Sequence, residues 1–229
     1  MQILAMAMAP VAIILIYIYF RDKYEKEPWL LLFKAFASGV AVSIILLFMV
    51  PFLDIQFAFE ENKYLKAFMD AFYRAALPEE GFKFLFLFLL IWKSKDFNEK
   101  FDGIVYAVYI SLGFAAIENL LYVADGGAGV ALKRAILSVP GHALFATLMG
   151  YYFSLARFSS QKFKFLSLAL GSAILAHGIY DLFLFLIPIV NKWLVIVLNL
   201  GFWWFIIKLW EVGLQKISLH VEDSPFKPQ

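Results

Sequence analysis

Hydrophobic residues run in long unbroken blocks along this chain, and each block is about the length of a membrane crossing. A spanning helix needs ~20 mostly apolar residues, and by that measure the sequence predicts seven, at 3–20, 31–53, 69–92, 103–123, 134–156, 163–187 and 190–210. The third differs from the rest, because Tyr64 to Leu77 reads as an amphipathic stretch lying along the interface before the chain dives at Pro78. The first lacks a basic leader region and a small-residue cleavage site, so it reads as a retained span. There is no tandem repeat and no symmetry between halves. The expected fold class is all-α, a polytopic transmembrane helix bundle of about seven spans. One domain covers 1–214, and a polar cytoplasmic tail, 215–229, ends "HVEDSPFKPQ" and is expected to be disordered.

Composition agrees with the pattern. Of the 229 residues, 63% are hydrophobic and 17% charged, against ~45–50% apolar content in soluble domains. The net charge of +2 and the dispersal of basic residues over short loops leave no stripe for nucleic acid, so the lipid bilayer is the expected surroundings and no nucleic-acid partner is expected. With no cysteine in the chain, disulfides, thiol catalysis and thiolate ligands are excluded. Charge bias gives the orientation. One side carries thirteen basic residues (Arg21, Lys23, Lys26, Lys34, Lys93, Lys95, Lys100, Arg157, Lys162, Lys164, Lys208, Lys216, Lys227), the other five (Lys63, Lys66, Lys133, Arg134, Lys192). The positive-inside rule then predicts an external N-terminus and a cytoplasmic C-terminus.

Within the spans, polar residues are costly and mark function by default, since a charge at the bilayer centre costs at least ~2.5–3.5 kcal/mol. They fall at one depth. Glu79 and Glu80 lie near the middle of the third span, while Glu118 and Asn119, His142, and His177 with Asp181 lie on the outer side of the next three midpoints, at offsets of roughly 3–8 Å from 1.5 Å of rise per residue. Lys83 is three or four residues from each glutamate and can reach both. Adjacent glutamates point ~100° apart, so one is expected to face the reacting centre and the other to brace a neighbour. His177 and Asp181 share a face, as two metal ligands or a carboxylate-oriented histidine require. Pro140 and Gly141 are expected to break the fifth helix and free N–H groups for an oxyanion. Taken singly, each residue also fits a structural salt bridge or interhelical hydrogen bond; the shared depth argues for a site.

Such a set suits hydrolysis of an acyl bond, with a carboxylate as general base toward water. Two mechanisms fit. In one, His142, His177 and a carboxylate such as Glu118 or Asp181 hold a divalent metal, zinc in the first instance, and Glu79 or Glu80 is the base. In the other there is no metal, and the histidines donate to the oxyanion. A proton- or ion-coupled transporter is the rival reading, and a non-catalytic membrane scaffold the third.

Four motifs in order, "EEGFK" (Glu79, Glu80, Lys83), "FAAIEN" (Phe114, Glu118, Asn119), "PGHALFA" (His142) and "HGIYD" (His177, Asp181), resemble the PrsW intramembrane proteases, within the superfamily of CAAX prenyl proteases and bacteriocin-processing enzymes. The likeness covers about 70–187. The broader superfamily carries EExxxR and FxxxH where this chain has Lys83 and Glu118, so it is closer to the PrsW branch than to prenyl-protein processing. The resemblance implies an enzyme of the bacterial cell membrane. It further implies that the substrate is a membrane-anchored protein, an anti-sigma factor, cut at site 1 on its extracytoplasmic side during stress signalling.

Overall fold

In the computed structural model, residues 2–56 and 62–228 are described, and all regular structure among them is helical. Eight α-helices follow in order: α1 (Gln2–Arg21), α2 (Trp29–Gln56), α3 (Lys63–Met69), α4 (Leu77–Ile91), α5 (Lys100–Lys133), α6 (Val139–Phe158), α7 (Lys162–Leu186) and α8 (Lys192–Glu222). Their starts are set by side chains that satisfy otherwise unpaired N–H groups. Asn62 accepts from the Tyr64 and Leu65 amides at the head of α3, and Asn191 from Trp193 and Leu194 at the head of α8. Asp102 accepts from the Asn98 and Glu99 amides at the head of α5.

Two short π-helical turns join elements without a break. Asp70–Ala76 links α3 to α4, and Arg134–Ser138 links α5 to α6. Each is followed within two residues by a proline, Pro78 or Pro140. A proline has no N–H to give the carbonyl four residues back, and a widened turn absorbs that gap. The helix therefore runs on through Pro140 and Gly141. The expected break there is absent, because the π turn takes up the strain upstream.

Helix α5 is the hub. From Phe101 to Ala116 every residue is buried, and α1, α2 and α6 pack around it. Its crossing with α2 is so close that a Cβ at Gly39 would collide with the Ile110 carbonyl, and one at Gly113 with that of Phe36. Near its end Gly127 takes φ 65°, a left-handed conformation suited to glycine, and bends the rod.

Five helical segments are long and apolar enough to cross a bilayer: Leu4–Arg21, Trp29–Met49, Lys100–Phe158, Lys162–Ile189 and Lys192–Glu222. The third holds both α5 and α6, packed against each other. The expectation of a disordered tail from Gln215 is corrected. Helix α8 continues to Glu222, because Leu209, Gly213, Ile217 and Val221 recur every fourth residue and bury one face. His220, within that tail, stacks on Tyr151 with ring centres 4.3 Å apart.

Beyond the core, at the far end of α5 from Glu118, sits a second polar region. Asp22, Glu27, Glu99 and Asp102 are all buried there beneath the end of α8, where Ser224 donates to Glu99. Tyr106 donates to Glu27.

Candidate active site

Helices α4, α5, α6 and α7 each bring part of one connected polar cluster. Lys83 is its centre and is almost fully buried. Its Nζ lies 2.8 Å from Glu80 Oε1, 3.4 Å from Glu79 Oε2 and 3.4 Å from His142 Nδ1. Such proximity is possible because positions three and four apart on α4 share a face, and α4 packs against both α5 and α7. The Phe114 ring covers the ammonium group at 4.1 Å.

The two glutamates divide. Glu80 is wholly buried, and its Oε1 also meets His177 Nδ1 at 2.9 Å. Glu79 keeps 15% of its side chain exposed and lies 4.0 Å from the same nitrogen. On its other edge His177 Nε2 lies 3.3 Å from Asp181 Oδ2, one helical turn along. Phe145 stacks flat on the His177 ring at 4.9 Å and fixes its plane.

His142 belongs to a separate pair. Its Nε2 lies 2.9 Å from Glu118 Oε2, and its Nδ1 faces the Lys83 ammonium, which can only donate. The ring is therefore the neutral tautomer with hydrogen on Nε2. Asn119, turned away, donates to the Ala7 carbonyl at 2.6 Å and ties α5 to α1. Thus all eight residues singled out in the sequence lie in one neighbourhood, seven in direct polar contact and Asn119 behind them. One further member carried no motif: Arg134, on the π turn before α6, bonds both Glu118 and Asn119. In the sequence it reads as one of five basic residues at the outer ends of the spans, and only the charge count drew attention to it.

A cavity of about 280 Å³ opens onto the cluster, lined by Leu46, Pro51, Phe114 and Tyr122 with Glu79 and Glu118 at its polar end.

The expected metal set does not converge, since no three of His142, His177, Glu118 and Asp181 bring ligand atoms together. Among the described residues, the group that does is Glu79, Glu80 and His177, with one ligand atom from each within 4.8 Å of the others. This group fits a divalent ion. Glu80 Oε2 is buried without a hydrogen-bond partner, and Asp181 holds the far nitrogen of His177 as outer carboxylates hold metal-bound histidines.

Fold and site define an integral membrane protein with a polar cluster of carboxylates, histidines and a lysine inside its helix bundle, two of whose glutamates line a cavity. Comparison with known proteins agrees. Residues 27–209 match the model of the PrsW family intramembrane metalloproteases. The chain is 35% identical to Protease PrsW of Clostridioides difficile over 98% of its length and 93% of that protein's. It is 39% identical to Protease PrsW of Oceanobacillus iheyensis over 80% of this chain and 83% of the other, and 36% identical to that of Bacillus subtilis over 93% of each. No solved structure matches. The chain belongs to the PrsW family of intramembrane metalloproteases, and like these relatives it is a bacterial membrane protein.

Proposed function

We propose that the protein hydrolyses a peptide bond of a membrane-anchored protein near the extracytoplasmic face, and that the substrate is an anti-sigma factor cut at site 1. The observation that carries this reading is the placement of Glu79, the less buried of the two glutamates, at the cavity beside buried Lys83 and His177. The topology proposed with it has seven passes, counting α4 as one and α5 and α6 as two, with the N-terminus outside. On that topology the cluster lies in the outer leaflet.

A peptide entering the cavity presents its carbonyl to this cluster. Glu79 takes the proton of a water molecule as the water oxygen attacks the carbonyl carbon. Lys83, held by Glu80, supplies positive charge against the oxyanion. The proton on Glu79 then passes to the departing amine as the C–N bond breaks. His142, oriented by Glu118, and His177, oriented by Asp181, fix the walls of the site. A divalent ion, zinc in our reading, would be held by Glu80, His177 and one oxygen of Glu79, leaving the other Glu79 oxygen as the base, and would supply Lewis-acid polarisation of the carbonyl.

The test compares new membrane-protein termini in bacterial cells carrying the wild type or Glu79→Ala/Glu80→Ala, at matched abundance. Fragments cut just outside a single-span protein, present with the wild type alone, are expected and would identify the substrate. Identical termini under every stress tried would sink the protease reading, and ion flux in proteoliposomes would then be measured.

A further inference from the structure

Glu118 has somewhere else to go. Its side chain is 22% exposed and lines the cavity, so a carboxylate that prefers water could swing away from His142. Two donors hold it, and both use the same oxygen: His142 Nε2 at 2.9 Å and Arg134 Nη2 at 2.8 Å. Arg134 is itself fixed on three sides. Its Nε donates to Asn119 Oδ1 at 2.7 Å, and its guanidinium lies over the Tyr122 ring at 4.4 Å. Asn119 is anchored in turn on α1. With only 11% of its side chain exposed, Arg134 is not a headgroup-seeking residue at a membrane edge. A planar fork gripping two neighbouring side chains at once is a geometry that arginine provides and lysine does not.

We infer that Arg134 is a positioning residue of the active site: its two-pronged hold on Glu118 and Asn119 keeps the Glu118 carboxylate on His142 Nε2, so that Glu118 on that edge and Lys83 on the other together fix the tautomer of the ring. It touches no reacting atom and acts through Glu118. The effect on turnover rests on the protease reading above; the effect on His142 does not.

The test therefore has two readouts. The chain has three histidines, His142, His177 and His220, so ring-nitrogen NMR of the ¹⁵N-histidine protein in nanodiscs resolves each. In Arg134→Gln the His142 signals are expected to move from a single neutral tautomer toward an exchanging mixture, while those of His177 and His220 stay. Cleavage of the identified substrate should show kcat lower by ~10–100-fold, the usual cost of losing an outer-shell partner, with KM close to wild type. Adding Arg134→Gln to Glu118→Gln should cost nothing more. If Arg134→Gln does not fold, the double variant, which lacks the buried carboxylate left uncompensated, is compared with Glu118→Gln alone. Wild-type His142 signals in Arg134→Gln, or a further loss in the double variant, would overturn the inference. If the wild type cleaves nothing yet the His142 signals move as stated, the protease reading fails and the positioning role stands.

Discussion

Around Glu79 and Glu80 every buried acid has a cation or an imidazole against it, whereas around Asp22 and Glu27 the acids face one another. Among the described residues no salt bridge reaches the carboxylates of the second region; the nearest cation, Lys26, is spent on the backbone carbonyl of Asp22. Both Asp22 oxygens and Asp102 Oδ1 lack hydrogen-bond partners. Burial and the neighbouring Glu27 push the Asp22 carboxyl up to about 7; burial likewise pushes Glu27 to about 7, against the help of Tyr106. Burial also raises Glu99. Glu79 and Glu118 line a cavity. Density of buried charge therefore does not set the candidate site apart. Opposite charge, imidazole and an opening together do.

The sharpest way to break this contrast is to remove the base. Glu79→Gln keeps size and polarity but cannot accept a proton, and cleavage is expected to fall by ~10²–10⁴-fold; residual activity within a few-fold of wild type, in a reconstituted assay, would assign the base elsewhere. Removal of divalent metal by chelation should abolish most cleavage, with zinc restoring it. Unchanged rates in metal-free protein would leave Lys83 as the cationic element at Glu79 and Glu80. Asp181→Asn loosens the His177 ring without removing any member of the Glu79, Glu80, His177 group, so a drop of ~10–100-fold is expected, read as kcat.

The smallest effect separates the two regions. An acid whose pKa is raised in the folded state stabilises the fold below its unfolded value and loses that contribution as pH rises through the folded value. For Asp22 and Glu27 the window runs from their ordinary values near 4 up to about 7. The protein should thus melt at a higher temperature at pH 5 than at pH 8. Glu27→Gln should raise the pH 8 melting temperature, by ~2–4 °C per kcal/mol recovered, and leave cleavage unchanged. Equal melting curves at both pH values would show that these acids are not protonated on burial.

Local spacing made much of the site legible. Glu79, Glu80 and Lys83, and His177 with Asp181, meet within single helices, so the helical period alone brings them together. The pairing of His142 with Glu118 and of His177 with Glu80 crosses helices, and no period encodes it. That is why the metal set came out differently: His142 was grouped with His177 by depth, but their rings turn to different carboxylates. Arg134 was hidden because a basic residue beside an apolar block has a cheaper explanation as a boundary charge. The helical tail was missed for the opposite reason. Its polar composition outweighed the four-residue recurrence of Leu209, Gly213, Ile217 and Val221, which was present in the sequence.

The π turns at Asp70–Ala76 and Arg134–Ser138 act as phase shifters. A π turn amounts to one residue inserted into an α-helix, and each residue advances the helix by about 100°. Deleting one residue from Asp70–Ala76 would restore regular α-helix and leave the segment one residue shorter and about as apolar as before. It would also rotate Glu79, Glu80 and Lys83 by roughly a quarter turn relative to α3. The frame in which these motifs work is thus written upstream of them, and drift in length there would turn the motif residues away from one another without replacing any of them.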